Sequence, residues 1–154
     1  SLGRLLGRHL NVPFIELSAQ IEQLAGCSIA EIHALYGQTA YRRYEQRALE
    51  EVIRHHARVV IATPGGIVSE PATFNMLLSH CYTVWLRASP EEHMNRVLAQ
   101  GDRRPMSGNR EAMEDLKRIL ESRAQFYSKA DHLFDTSDMT LDVAFHRLTT
   151  LLAG

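Results

Sequence analysis

The chemistry this chain can do is concentrated in its arginines. Lys117 and Lys129 are the two lysines among 17 basic residues, and the rest are arginine. Arginine holds a permanent charge on a planar fork of N–H donors, a geometry that grips carboxylates and phosphates. A compositional preference for arginine would give the same count without a site. The count alone leaves both readings open. Arg42 is followed three residues on by Glu45, and on a helix that spacing lets the carboxylate orient the guanidinium. Tyr41 and Tyr44 flank Arg42, and Phe126 and Tyr127 follow Arg123. Arg43, Arg47, Arg54 and Arg118 read instead as solvated surface charges.

Other reactive residue types are scattered. His55, His56, His80, His93 and His146 have no i, i+4 partner geometry suited to a metal, so no metal site is expected. Cys27 and Cys81 lie far apart without ligand spacing and read as two reduced thiols of a cytoplasmic protein. Net charge is −1, which argues against a broad basic face for nucleic acid on this chain. No apolar run is long enough to span a membrane, and no signal peptide is visible.

The elements that must position these residues alternate. Strands are predicted over 12–17, 58–63, 82–87 and, more weakly, 132–135. They are apolar and β-branched or aromatic without strict alternation, as in strands covered on both faces. Helices are predicted over 2–10, 40–56, 70–80, 90–99, 110–127 and 141–152. Ser89-Pro90-Glu91-Glu92 supplies an N-cap and a first-turn proline, and Leu141, Phe145, Leu148 and Leu152 form one stripe on the last helix. Residues 100–109, with Gly101, Pro105 and Gly108, read as a mobile lid. This order implies one α/β domain over 1–154, a parallel sheet between helical layers. The chain opens on a helix, so a first strand and phosphate-binding loop are expected upstream.

The order of pieces resembles shikimate kinase, of the P-loop nucleoside-monophosphate-kinase-like group, over essentially the whole chain. Ser1-Leu2-Gly3-Arg4-Leu5-Leu6 is similar to the residues after that family's loop lysine. Pro13-Phe14-Ile15-Glu16-Leu17-Ser18-Ala19-Gln20-Ile21-Glu22 stands where the family has a strand with paired acids and an Ile-Glu. Gly37-Gln38-Thr39-Ala40-Tyr41-Arg42-Arg43-Tyr44-Glu45 matches a Gly-Glu-x-x-Phe-Arg-x-x-Glu element, and Pro64-Gly65-Gly66 a triple-glycine turn. Arg104-Pro105 matches a lid motif, and Arg123-Ala124-Gln125-Phe126-Tyr127 an Arg-x-Pro-Leu-Tyr helix. The resemblance implies a three-layer P-loop kinase fold. It also implies carboxylate binding by Arg42 and Arg123 beside Gly65 and Gly66, phosphate binding by Arg103 and Arg104, and ATP with magnesium if the upstream loop is intact.

The departures point elsewhere. Ser18 replaces the acid that contacts the substrate hydroxyl, and serine is a poor base. Gln38 and Pro64 also break the pattern, the proline removing one N–H from the turn. The expectation is therefore a chain with no catalytic residues and no required cofactor, which does not phosphorylate shikimate. Its wording around 24–28, 34–45 and 62–75 resembles benzoate-pathway transcription regulators of the BzdR/BoxR type. That resemblance implies an effector domain in which benzoyl-coenzyme A relieves repression. The ligand would meet Ser18, Tyr41, Arg42, Glu45, Gly65, Gly66, Arg123 and Tyr127. DNA would be bound through a helix-turn-helix domain outside this chain, in a cytoplasmic homodimer. A small-molecule kinase of shikimate-kinase type with altered substrate is the alternative, and a dimerising scaffold a third reading.

Overall fold

The computed structural model describes residues 1–87 and 109–153. The chain forms two compact units: Ser1–Cys81 with Leu141–Gly154, and Tyr82–Thr140.

The first unit opens with α1 (Leu2–Leu10), capped by the Ser1 hydroxyl, which accepts from the Arg4 N–H at 3.4 Å. Asn11 ends it in the left-handed region (φ 57°, ψ 46°), and the Val12 N–H returns to the Gly7 carbonyl at 3.0 Å. Gly3 and Gly7 turn one face of α1 onto Phe14. A Cβ at Gly3 would lie 2.4 Å from Phe14 Cε1, and one at Gly7 3.2 Å from Phe14 Cβ. The helix can approach the strand this closely because both positions lack side chains.

That strand, β1 (Phe14–Glu16), pairs in parallel with β2 (Val60–Ala62), in the register Phe14 with Val60 and Glu16 with Ala62. The strands are shorter than the predicted 12–17 and 58–63. Pro13 has no N–H to offer the ladder and contributes its carbonyl alone, accepting from Val60 at 2.9 Å.

Chain direction changes at once after β1. Helix α2 (Leu17–Ala25) buries Leu17 and Ile21 completely and stops at Gly26, whose φ of 74° suits glycine. Helix α3 (Ile29–His55) begins with a reciprocal capping box, Ser28 Oγ accepting from the Glu31 N–H and Glu31 Oε1 from the Ser28 N–H, both 3.1 Å. Both α2 and the first part of α3 were unforeseen. α3 is broken at Gly37 (φ 85°, ψ 176°), a backbone region open essentially to glycine alone. Its second part buries Tyr41, Glu45, Ala48, Leu49 and Val52.

After β2, Pro64 leads into a 3₁₀ turn, Gly65–Ser69, that buries Ile67 and Val68. Helix α4 (Pro71–His80) follows, with proline at its first position. The closing helix of the chain packs on α1 in this same unit, where Phe145 meets His9 edge-on at 5.8 Å. It buries Ala144 and Leu148, whereas Leu141 of the predicted stripe is 49% exposed.

In the second unit β3 (Val84–Arg87) pairs in parallel with β4 (His132–Asp135), Val84 facing His132 and Arg87 facing Asp135. Thr83 and Asp131 lock the entry to this pair. The Asp131 Oδ2 accepts from the Thr83 N–H at 2.7 Å, and Thr83 Oγ1 accepts from the Asp131 N–H at 3.0 Å. Helix α5 (Asn109–Tyr127) precedes β4, and α6 (Leu141–Ala153) is the closing helix of the first unit. The predicted helix over 90–99 and the lid through residue 108, Arg103 and Arg104 included, lie outside the described residues.

Candidate functional site

The site grows from the second part of α3. Arg42 and Glu45 are one turn apart, and Arg42 Nη1 donates to Glu45 Oε1 at 3.0 Å. The Glu45 side chain is fully buried and that of Arg42 is 14% exposed. Helical spacing brings the two together, and burial makes their pairing matter. Tyr41, 6% exposed, sits beside them. Its ring centroid lies 5.2 Å from the guanidinium carbon, and its hydroxyl points at the second Glu45 oxygen, Oε2, at 3.5 Å. The ring also packs on the His33 imidazole, 4.6 Å away, from the part of α3 before the Gly37 break.

One polar atom in this cluster is left over. Arg42 Nε is buried and has no hydrogen-bond partner among the described residues. The guanidinium is thus held through Nη1, while its buried Nε donor is unsatisfied among the described residues.

Electrostatics follow from burial. Loss of water pushes the Glu45 carboxyl above its ordinary range, opposed by the Arg42 hydrogen bond and charge and by Tyr41, and reinforced by the Glu70 charge. Burial, and after it the negative charge of Glu45, push the Tyr41 hydroxyl up to about 12. It therefore stays protonated, able to donate, over the whole working range of pH.

Other expected site residues fall as follows. Glu16 ends β1 with an exposed carboxylate that makes no capping bond to α2. Ser18 is the second residue of α2 rather than of a strand, half-buried, its hydroxyl without a partner among the described residues. Gly65 and Gly66 open the 3₁₀ turn. Arg123 and Tyr127 are half-buried on α5 of the second unit, where Tyr127 stacks on Trp85 at 5.0 Å. Tyr44 lies under Arg47 at 6.0 Å. Among the described residues no cluster of three or more His, Cys, Asp or Glu could hold a metal, and no helix is long and apolar enough to cross a membrane. His33 and Glu70 were missed. The Ser28-x-x-Glu31 box was the signal that would have placed His33 on a helix.

The family model for shikimate kinase matches residues 1–152. This chain belongs to the shikimate kinase family. A shikimate kinase of Synechococcus sp. (strain JA-3-3Ab) is 37% identical over 131 residues, 85% of this chain and 68% of that protein. One from Gloeobacter violaceus is 33% identical over 153 residues, 99% of this chain and 85% of that protein. The solved shikimate kinase of Bacteroides thetaiotaomicron superposes with a TM-score of 0.87 at 29% identity, over 99% of this chain and 90% of that one. The fold is the shikimate-kinase-like P-loop kinase fold, α/β with a parallel sheet, as the order of elements implied.

The regulator reading is overturned by the same matches, which run to shikimate kinases over nearly the whole chain. The benzoyl-coenzyme A effector, the repressor function, the homodimer expected with it and the DNA-reading partner go with it. Local geometry adds a reason. The Tyr41 ring, enlisted for a benzoyl group, is already packed on His33 and the Arg42 guanidinium and is nearly out of reach of solvent.

Proposed function

We propose that this chain works in an ATP-dependent small-molecule kinase of the shikimate-kinase type, with substrate choice altered at Ser18. One observation carries the reading: Arg42 is fixed by buried Glu45 while its Nε is buried without a partner among the described residues. An unsatisfied buried donor costs about 1–3 kcal/mol, so the site favours a ligand that brings an acceptor. A ring carboxylate brings two oxygens and the opposite charge. Gly65 and Gly66 let backbone approach the ligand closely. Arg123 and Tyr127, with Arg103 and Arg104, keep the ligand- and phosphate-binding roles of their family motifs.

The residues present fit a nucleotide–magnesium partner at Glu16. Its exposed carboxylate stands at the carboxyl end of a parallel strand, where open α/β sheets bind ligands. Magnesium takes one or two protein carboxylates and completes its shell with phosphate oxygens and water. When bound, ATP with magnesium supplies the phosphoryl group and neutralises its charge. In the transfer the substrate hydroxyl oxygen would bond to the γ-phosphorus as the bond to the ADP oxygen breaks, the hydroxyl proton passing to solvent. Such transition states are loose, so positioning dominates and a strong base is less demanded. Ser18 at the hydroxyl end therefore slows transfer, and relaxes which hydroxyl pattern is accepted, without abolishing it. Cys27 and Cys81, both unpaired, suit a protein working in the cytoplasm.

The test is direct. The full-length protein, with ATP and magnesium, is offered shikimate and ring acids lacking single hydroxyls, and phosphorylated product is measured by mass spectrometry. Product from at least one ring acid supports the reading. ADP formation that no ring acid stimulates, with no product, refutes it.

A further inference from the structure

We infer that Tyr41 is a positioning residue for acid recognition, holding Arg42 both through its ring face and through the Glu45 carboxylate. This rests on the proposal that Arg42 meets the substrate carboxylate. Glu45 has two oxygens and two partners. Oε1 takes the Arg42 Nη1 hydrogen and Oε2 faces the Tyr41 hydroxyl, at 3.0 and 3.5 Å. The Tyr41 ring lies under the guanidinium at 5.2 Å, a cation–π distance. One side chain thus touches both the cation and its counter-ion. A guanidinium held by Nη1 alone could swing about that bond; one resting on a ring as well is restricted in the plane it adopts. The plane decides where Nε, the donor without a partner among the described residues, points.

The tyrosine is itself held. It is 6% exposed, and the His33 ring packs on it at 4.6 Å from the helical segment before Gly37. Its hydroxyl keeps its proton to about pH 12, so it donates to Glu45 whatever the state of the carboxylate. The charged and titratable groups that act on Glu45 are Arg42 and Tyr41 from its own helix and Glu70 from the start of α4. Arg42 and Tyr41 favour the carboxylate form; Glu70 and burial oppose it. Without the Tyr41 hydroxyl, Glu45 would take up a proton at higher pH and release its hold on Arg42.

The experiment compares wild type with Tyr41→Phe and Tyr41→Leu in two assays. In the first, KM for shikimate and kcat are measured from pH 5 to 8. Tyr41→Phe is expected to raise KM about fivefold, the size of one net hydrogen bond, with kcat within about twofold. Its KM rises with acidification at higher pH than in wild type, and Tyr41→Leu, lacking the ring face too, raises KM further. Equal KM and an unmoved pH profile in Tyr41→Phe would overturn the inference, as would a fall in kcat alone. The second assay needs no substrate: thermal stability of the free protein against pH. Tyr41→Phe is expected to move the stability step assigned to Glu45 upward in pH, whereas a merely structural role lowers stability equally at every pH. A protein inactive with shikimate but showing that upward step would count against the proposed substrate and for Tyr41; an unmoved step would count against Tyr41.

Discussion

Arg42 Nη1 and Glu45 Oε1 lie 3.0 Å apart on one helix, and the acid of the pair has no contact with solvent. Removing one partner of a buried pair leaves the other charged and alone, which costs about 3 kcal/mol or more. Glu45→Ala should therefore destabilise the protein by about 3 kcal/mol in urea unfolding. Glu45→Gln, which still accepts from Arg42, should cost less than half of that. Equal losses in the two variants would mean that packing volume, rather than the ion pair, sets the cost.

The same burial gives a signed pH dependence. The Glu45 carboxyl is raised above its ordinary 4.5, so the folded state binds this proton more tightly than the unfolded state. Its contribution to stability is full below pH 4.5 and is lost as pH rises through the folded value. Tyr41 acts in the same sense between pH 10 and about 12. The Glu31 and Asp135 carboxyls, lowered by bonds to Ser28 and Ser137, act in the opposite sense on acidification. Subtracting the thermal-stability profile of Glu45→Gln from that of wild type isolates Glu45. The difference should fall with rising pH from 4.5 toward neutrality, and a rise would contradict the burial argument.

Ser18 offers no carboxylate at the start of α2. A positioned general base contributes typically about 10²–10⁴-fold, so Ser18→Asp should raise kcat toward shikimate by roughly 10²-fold. A steady-state assay decides. No gain, with shikimate still a substrate, would mean that another group already accepts the proton.

Two glycines should fail for different reasons. At Gly3 an added Cβ would meet Phe14 Cε1 at 2.4 Å, an overpacking cost of about 1–3 kcal/mol. Phe14→Leu should relieve part of it, giving a coupling measurable in a double-mutant cycle. At Gly37 an added Cβ would meet nothing within 4 Å among the described residues, but φ is 85°. Gly37→Ala should cost about 1–3 kcal/mol through the backbone alone, with no neighbouring substitution able to relieve it.

Much of the architecture was legible. The strand at His132–Asp135 has the predicted limits, and Glu70-Pro71 announces the start of α4. Leu17 reads as the end of a strand because it continues the apolar run from Phe14 and Ile15. The structure uses Leu17 instead as the first buried residue of α2, with Ile21 one turn on. The predicted helix begins at residue 40, whereas the chain is already helical from Ile29 and passes Gly37 with one non-helical residue. The i, i+3 link from Arg42 to Glu45 could be read from spacing; the Tyr41 hydroxyl and His33 could not, because they depend on tertiary burial.

Function was harder to read because a few polar exchanges weighed too much. Ser18, Gln38 and Pro64 are three departures from the motifs, set against a match that runs along nearly the whole chain. Local wording pointed to a regulator, but the kinase match extends over residues 1–152.

The central claim is that Arg42 recognises the carboxylate of a ring acid that this protein phosphorylates. The most direct measurement is kcat/KM for shikimate and for its methyl ester, in wild type and in Arg42→Gln. The account predicts that wild type strongly prefers the free acid and that Arg42→Gln loses most of that preference, chiefly by a worse constant for the acid. Equal use of acid and ester by wild type, or an undiminished preference in Arg42→Gln, would contradict it.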